Sequence, residues 1–211
     1  MSDLFKEKAQ EWDSRPISLL ISEQIGKALL EQVSMGAEMS VMDFGAGTGL
    51  ICTQVAPKVK RVVAVDISDA MLQKLAQKTE QTDNVVSVCQ DILSQPLNER
   101  FDLIISAMAL HHVQDTDALL KRLFEHLAPN GSVALADLDH EDGHFHPLDV
   151  EGVYHHGFER AVLQQQLEQA GFHDIHFTTA AKINKEGRKY PVFLGHCKKG
   201  LMPHFQDEPE H

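Results

Sequence analysis

The run Val41-Met42-Asp43-Phe44-Gly45-Ala46-Gly47-Thr48-Gly49 constrains this chain more than any other stretch. An apolar segment of strand character enters a glycine-rich turn, and helical spacing resumes behind it. Lacking a Cβ, glycines reach dihedrals closed to other residues and let a ligand approach the main chain, while the start of the next helix presents free amides. An ordinary strand-to-helix turn needs one or two glycines; this one has three. The alternation of short apolar runs with longer amphipathic stretches then continues along the chain. Strands are expected at 41–44, 61–66, 85–89, 101–107 and 132–138, and helices at 48–57, 68–79 and 116–127. Ser68 with Asp69, and Asp115 with Thr116, supply capping oxygens, and Pro129-Asn130-Gly131 is expected to end the helix before the next strand. Several strands are apolar throughout, as strands covered on both faces are, which predicts a mostly parallel doubly wound α/β sheet. Upstream, 4–33 reads as two helices parted at Arg15-Pro16. Downstream, a helix over 158–170 precedes an antiparallel pair, 173–181 and 191–197.

The spacing of charges around the turn restricts the ligand. A dinucleotide fingerprint, G-x-G-x-x-G, needs its third glycine at position 50, where this chain has Leu50. A pyrophosphate, and with it a nicotinamide oxidoreductase, is thereby disfavoured. Asp43, two residues before the first glycine, suits a cationic group such as an ammonium. Asp66 closes the next strand, 21 residues after Gly45, where a carboxylate accepts hydrogen bonds from adjacent ribose hydroxyls. Asp91-Ile92 follows the third strand and offers an acceptor for an exocyclic amine with an apolar neighbour for the ring.

These residues resemble the seven-stranded, S-adenosylmethionine-dependent methyltransferases, and more narrowly the small-molecule branch that includes the ubiquinone and menaquinone methyltransferases. The resemblance covers about residues 5 to 197 and rests on FGAGTG at 44–49, VVAVDIS at 62–68, CQDIL at 89–93, FDLIISAMALHHV at 101–113 and LLKRLFEHLAPNGSVALAD at 119–137. It implies a Rossmann-like sheet of seven strands, mostly parallel, with an antiparallel strand at the C-terminal edge. It also implies S-adenosylmethionine as cofactor: Asp43 orients the methionine ammonium, Gly45, Ala46, Gly47, Thr48 and Gly49 line the methionine, and Asp66 takes the ribose. Ile67 and Met71 flank the adenine, with Ile92 beside Asp91, which takes the amine. Ser106 and Ala107 border the transferring methyl. Ala46 departs from the cysteine common among relatives, a change the position tolerates because it works through its backbone. Phe5, Ala9, Trp12 and Asp13 resemble the opening of the family's mobile covering helix, which makes Trp12 a substrate-side candidate and plain core packing its rival.

Methyl transfer from a sulfonium is an in-line displacement that alignment and exclusion of water can accelerate without a protein nucleophile. A base is needed only for an acceptor that must lose a proton, and histidine is the natural choice. The chain has 13 histidines, and five of them, His140, His144, His146, His155 and His156, fall within 17 residues beyond the fifth strand. Three readings stay open for this insert: a substrate-facing loop with His144 or His155 as base and Asp139, His140, His146 and His156 as substrate-side groups; a solvated loop shaped by acid–histidine pairs; or a metal site of His144 and His146 with Asp139 or Asp142. Metal-dependent relatives place acids after the fourth strand, where this chain has Met108-Ala109-Leu110, so no metal is expected. Because A-L-H-H-V recurs among relatives with different substrates, a fold-supporting role is expected for at least one of His111 and His112, with His111 kept as a substrate-side candidate. His126 is expected at the surface or rim, and Cys52 and Cys89 as small core residues.

Charge and composition bear on partners. Nineteen basic against 31 acidic residues give a net charge of −12, which repels nucleic acid. Three cysteines without a C-x-x-C pair fit a reducing cytoplasm, and no stretch is apolar enough for a membrane span. After the fourth strand the chain lacks the Asn/Asp-Pro-Pro-Tyr/Phe pattern of enzymes that methylate nucleobase or glutamine nitrogen. The expected organisation is one domain, 1–200, with an N-terminal helical lid at 1–35, a substrate-side insert at 138–157 and a flexible tail at 201–211. The expected activity is methyl transfer to a small molecule; the alternative is a non-catalytic module that binds S-adenosylmethionine and regulates a partner.

Overall fold

A computed structural model describes residue 3 and residues 5–147 and 150–200; the expected tail, 201–211, lies outside the described residues. Seven strands form one sheet: β1 (Ser40–Phe44), β2 (Arg61–Asp66), β3 (Val85–Cys89), β4 (Phe101–Ala107), β5 (Leu127–Leu138), β6 (Phe172–Lys185) and β7 (Arg188–Lys199), in the order β3-β2-β1-β4-β5-β7-β6. The first five strands pair in parallel. β7 is antiparallel to both β5 and β6, so the antiparallel strand enters one place in from the edge and β6 closes the sheet. The helices are α1 (Lys6–Ala9), α2 (Pro16–Gln32), α3 (Cys52–Val55), α4 (Asp69–Thr79), α5 (Thr116–Glu125) and α6 (Arg160–Gln169).

The two-residue period of the strands divides their apolar side chains between two cores. Val41, Val62, Ala64, Leu103 and Ala134 face α2, α3 and α4 through Ile25, Leu29, Cys52, Val55 and Leu75. Met42, Val63, Ile104, Val133 and Leu135 face α5 and α6 through Leu119, Leu123, Leu163 and Leu167. Ser68 Oγ accepts from the Met71 amide and Asp115 Oδ1 from the Ala118 amide, so both expected caps start their helices. Pro16 opens α2 behind an extended Arg15, as a pre-proline residue prefers.

Four expectations need correction. Helix 48–57 contracts to Cys52–Val55 and a 3-10 turn, Ala56–Lys58, because Gly49 at φ +83° is still part of the turn. The Pro129-Asn130-Gly131 stop lies within β5, with Asn130 at φ +63° beside a register shift against β4; α5 ends earlier, at Glu125. His126, expected at the rim, is 3% exposed: its Nδ1–H donates to the Arg122 carbonyl and its Nε2 accepts from the Leu97 amide, closing the helix end. Cys89 is exposed rather than core because it sits at the end of the edge strand β3, whereas Cys52 is buried and its thiol pKa is pushed up by that burial.

The 138–157 insert is tied down at both ends. Arg160 grips Asp139 with two bonds, at 2.7 and 2.8 Å, and the His140 amide donates to the Phe158 carbonyl. Further along, Lys185 Nζ donates to the Phe145 carbonyl and Arg188 pairs with Asp142 at 2.6 Å. Leu148 and Asp149 lie outside the described residues.

Candidate active site

Parallel pairing aligns the carboxyl ends of β1, β2, β4 and β5 along one edge, where open α/β sheets bind ligands. Phe44 lies opposite Val65 and Ser106, and Ala107 opposite Ala136. The glycine turn folds back on β2: the Gly45 and Ala46 amides donate to the Val65 carbonyl, at 2.8 and 3.1 Å. Gly45, at φ +69°, also cannot carry a side chain because an added Cβ would stand 2.3 Å from that of Ala109, just past β4. This close approach joins the β1–β2 side of the crevice to the β4–β5 side.

Unpartnered polar atoms mark where a ligand belongs. Among the described residues, seven buried side-chain polar atoms lack a hydrogen-bond partner, and six belong to Asp43, Ser106, His111, Glu141 and His146; the other is Arg122 Nε on α5. All five residues stand at the tips of β1 and β4 or on the segments leaving β4 and β5. Isolated buried polar groups are costly, so this concentration is better explained by a binding crevice than by the fold. Asp43 is 1% exposed with both carboxylate oxygens unpartnered, and burial, reinforced by Asp66, raises its pKa to about 8. A bound ammonium would supply the missing charge and restore the carboxylate.

Asp66 is differently placed. Its Oδ2 accepts from the Gly47 amide at 2.8 Å and its Oδ1 from the Ser68 amide at 2.9 Å. Burial raises its pKa, and these amides hold the rise in check. Each oxygen keeps a lone pair, and the two fixed amides orient the carboxylate. Ile67 beside it is 62% exposed and Met71 is buried on α4. Asp91 is exposed, its Oδ1 accepting from the Leu93 amide. Ile92 is fully buried among Met42, Val63 and Ile104, so it belongs to the core and does not flank a ligand as expected.

The N-terminal segment crosses this edge. Thr48 Oγ1, in the glycine turn, donates to Asp13 Oδ1 at 2.5 Å, and Lys78 Nζ to Asp13 Oδ2 at 2.7 Å; Ser68 Oγ donates to Asp3 Oδ2. Trp12 packs edge-on to Phe5, which packs edge-on to His112. The covering part is therefore shorter than the expected 1–35, because α2 buries Ile21, Ile25 and Leu29 in the core.

The candidate histidines separate in space. His155 donates from Nε2 to the Val113 carbonyl at 2.9 Å, stands 3.3 Å from Thr116 Oγ1 and stacks on Phe158. It lines a cleft of about 240 Å³ with Gly157, Glu159 and Val162, beside α6. That nitrogen anchors the loop and cannot take a proton. His144 is exposed, with Nε2 3.7 Å from Asp142; His140 is exposed, and so is His156, with Nδ1 3.7 Å from Glu141. Asp139 is occupied by Arg160. Of these five, His156 stands against an orphaned atom, Glu141 Oε1; His155 and Asp139 are committed to Val113 and Arg160, and His140 and His144 are exposed. His146 joins the orphaned cluster: its ring centroid lies 5.0 Å from that of His111 and 6.0 Å from that of His112. Among the described residues no group of three or more His, Cys, Asp and Glu side chains is arranged to hold a metal ion.

Two features were not read from the sequence. Asp137 is fully buried and hydrogen-bonded to His111; the signal was an acid inside Val133-Ala134-Leu135-Ala136-Asp137-Leu138, since a carboxylate in a buried strand requires a partner. Met108 is left-handed, at φ +56°, directly after β4, where strain in a non-glycine residue often accompanies function; no local signal announces it.

A model of the methyltransferase domain family matches residues 18–176. An uncharacterized methyltransferase of Schizosaccharomyces pombe is 33% identical over 135 residues, 56% of this chain and 48% of that protein. The malonyl-[acyl-carrier protein] O-methyltransferase of Bacillus cereus is 29% identical over 143 residues, 66% of this chain and 49% of that protein. The chain spans about half the length of the curated relatives it matches. In fold it is similar to the N-methyltransferase NodS of Bradyrhizobium japonicum in complex with S-adenosylhomocysteine, with a TM-score of 0.70 and 15% identity over 94% of this chain and 99% of the other. The chain belongs to the methyltransferase domain family, whose cofactor is S-adenosylmethionine.

Proposed function

We propose that this chain transfers a methyl group from S-adenosylmethionine to a small-molecule acceptor held between the N-terminal segment and the 138–157 insert. Asp43 carries the reading: a buried, unpartnered carboxyl group under a glycine turn fits the methionine ammonium. Asp66 holds the ribose through a carboxylate already oriented by two amides, Ile67 and Met71 flank the adenine, and Asp91 accepts from its amine. Gly45 to Gly49, Ser106 and Ala107 line the methionine and the methyl. When bound, the cofactor supplies an electrophilic sulfonium methyl. The residues around it align the acceptor for in-line attack and exclude water, where orientation alone can supply effective molarities of ~10⁵ M or more. A net charge of −12 and covering segments on both sides of the crevice support a small acceptor over a nucleic acid. Calorimetry with S-adenosylmethionine and S-adenosylhomocysteine tests the reading, with 1:1 binding of both expected. Absence of binding to the wild-type chain would refute it.

A further inference from the structure

We propose that His111, oriented by Asp137, is the general base of this site, and that the acceptor is a molecule whose reacting oxygen, nitrogen or sulfur must lose a proton to be methylated. The inference rests on the methyl-transfer reading above and adds to it the acceptor's chemical class. Asp137 lies at the carboxyl end of β5 and His111 in the 3-10 turn Leu110–His112 that follows β4, so the pair bridges the two strands beside the expected methyl. His111 Nδ1–H donates to Asp137 Oδ1 at 2.7 Å, and the His111 and Leu138 amides donate to Oδ2 and Oδ1. Burial alone raises the Asp137 pKa, but His111 and these amides outweigh it and keep the carboxylate ionised. An ionised acceptor on Nδ1 holds that proton in place and leaves the lone pair of the neutral ring on Nε2. Nε2 is buried and unpartnered. His126, beyond the other end of the strands, differs in that both its nitrogens are hydrogen-bonded.

The neighbours suit a proton acceptor. His112 shares the turn, its ring 4.1 Å from that of His111, and its Nδ1–H donates to the Gly152 carbonyl; His146 approaches from the insert with its own Nε2 unpartnered. Burial above all lowers both pKa values to about 4, so both are neutral hydrogen-bonding walls at physiological pH. The charged groups around the three rings are Asp137 from β5, Lys8 from α1 against His112, and Lys185 from β6 against His146. In the reaction, a lone pair on the acceptor atom forms the bond to the methyl carbon. The carbon–sulfur bond breaks with its electrons going to sulfur, giving the neutral thioether. The acceptor's proton passes to His111 Nε2, and the resulting imidazolium pairs with Asp137 before releasing the proton to solvent. A carboxylate acceptor has no proton to lose and would leave the dyad without a task.

The test offers methyl-labelled S-adenosylmethionine to the purified chain with a panel of phenols, amines, thiols and carboxylic acids and with an ultrafiltered bacterial cell extract. Methyl ethers, methylamines or thioethers are expected as products. His111→Gln should lower kcat at least a hundredfold while binding S-adenosylhomocysteine within threefold of wild type. Asp137→Asn, at a positioning residue that acts through His111, should lower kcat more than it changes KM. Nitrogen-15 histidine spectra of the wild-type chain should show His111 with its proton on Nδ1, and those of Asp137→Asn a mixture of tautomers. The inference is overturned by methyl esters as the only products, by a His111→Gln enzyme within fivefold of wild type, by a wild-type His111 protonated on Nε2 when neutral, or by a chain that binds cofactor yet methylates nothing offered. Failure of the wild-type chain to bind cofactor is a separate result and strikes the methyl-transfer reading itself.

Discussion

The two sides of the crevice are built by different means. On the β1–β2 side the proposed ligand-facing groups are the glycine turn, Asp43 and Asp66, all within a continuous stretch of the chain, with the turn and Asp66 positioned by backbone hydrogen bonds. On the β4–β5 side they are His111 and His146, with Asp137 behind His111, and the three belong to separate segments brought together by the sheet and the insert. The first side is the proposed cofactor reader, and amides that any sequence supplies orient its Asp66. The second is the proposed acceptor side, where the His111 and Asp137 side chains orient each other. Substitutions should therefore act on cofactor affinity on one side and on turnover or loop stability on the other.

The largest effect on the cofactor side should come from Asp66→Ala. It removes charged hydrogen bonds of ~1.5–3 kcal/mol each, so cofactor affinity should fall by about 2–4 kcal/mol in a calorimetric titration, and because the Gly47 and Ser68 amides lose their partner the melting temperature of the free chain should fall as well. Unchanged affinity would remove Asp66 from the site and erase the contrast. On the other side, His155→Ala loses the bond to the Val113 carbonyl and the packing on Phe158, so it should cost ~1–3 kcal/mol of stability by denaturant titration while kcat stays within twofold. A collapse of kcat with stability intact would restore His155 as the base.

The same contrast explains what the sequence disclosed. Strand positions and caps followed from apolar runs and short polar residues, because two-sided burial of β1, β2, β4 and β5 demands continuous hydrophobicity. The glycine turn and its acids were legible because they lie close together in the chain. The dyad was not: His111 and Asp137 are 26 residues apart, and only the β4–β5 register makes them neighbours. Histidine density in the insert drew attention to His144 and His155, but density says nothing about direction. One is exposed and the other is committed to Val113. Ile92 failed for a related reason, since an apolar residue after a strand serves core and ligand equally well until its burial is known.

Protonation of Asp43 gives the next effect. Its pKa is about 8 in the free chain, so near pH 7 the carboxyl is mostly protonated, and an ammonium on it favours the ionised form. Binding should release up to one proton there. Cofactor affinity should rise with pH up to about 8 and then level off, by no more than ~1.4 kcal/mol per pH unit. For folding the sign is opposite: the folded pKa lies above the unfolded value, so this group's contribution to stability is complete below the model-compound range near 4 and is lost as pH rises towards 8. Binding heats measured at pH 6.5 in buffers of different ionisation enthalpy should differ in proportion to those enthalpies for wild type and not for Asp43→Asn. Equal heats in all buffers would mean that Asp43 is already ionised in the free chain.

The smallest effect should be at the cover. Asp13 ties the N-terminal segment to the glycine turn through Thr48 and to α4 through Lys78, but the Asp13 and Lys78 side chains are 37% and 31% exposed. A half-exposed ion pair is screened by solvent and salt, so the latch contributes ~0.2–1 kcal/mol. With the latch loosened, Asp13→Ala should raise cofactor association and dissociation rates together by up to about fivefold, leaving the dissociation constant nearly unchanged. Raising the salt concentration should act on wild type in the same direction and do less to the variant. A large loss of equilibrium affinity would show instead that Asp13 touches the ligand, and the N-terminal segment would then belong to the cofactor-reading side of the crevice rather than to its cover.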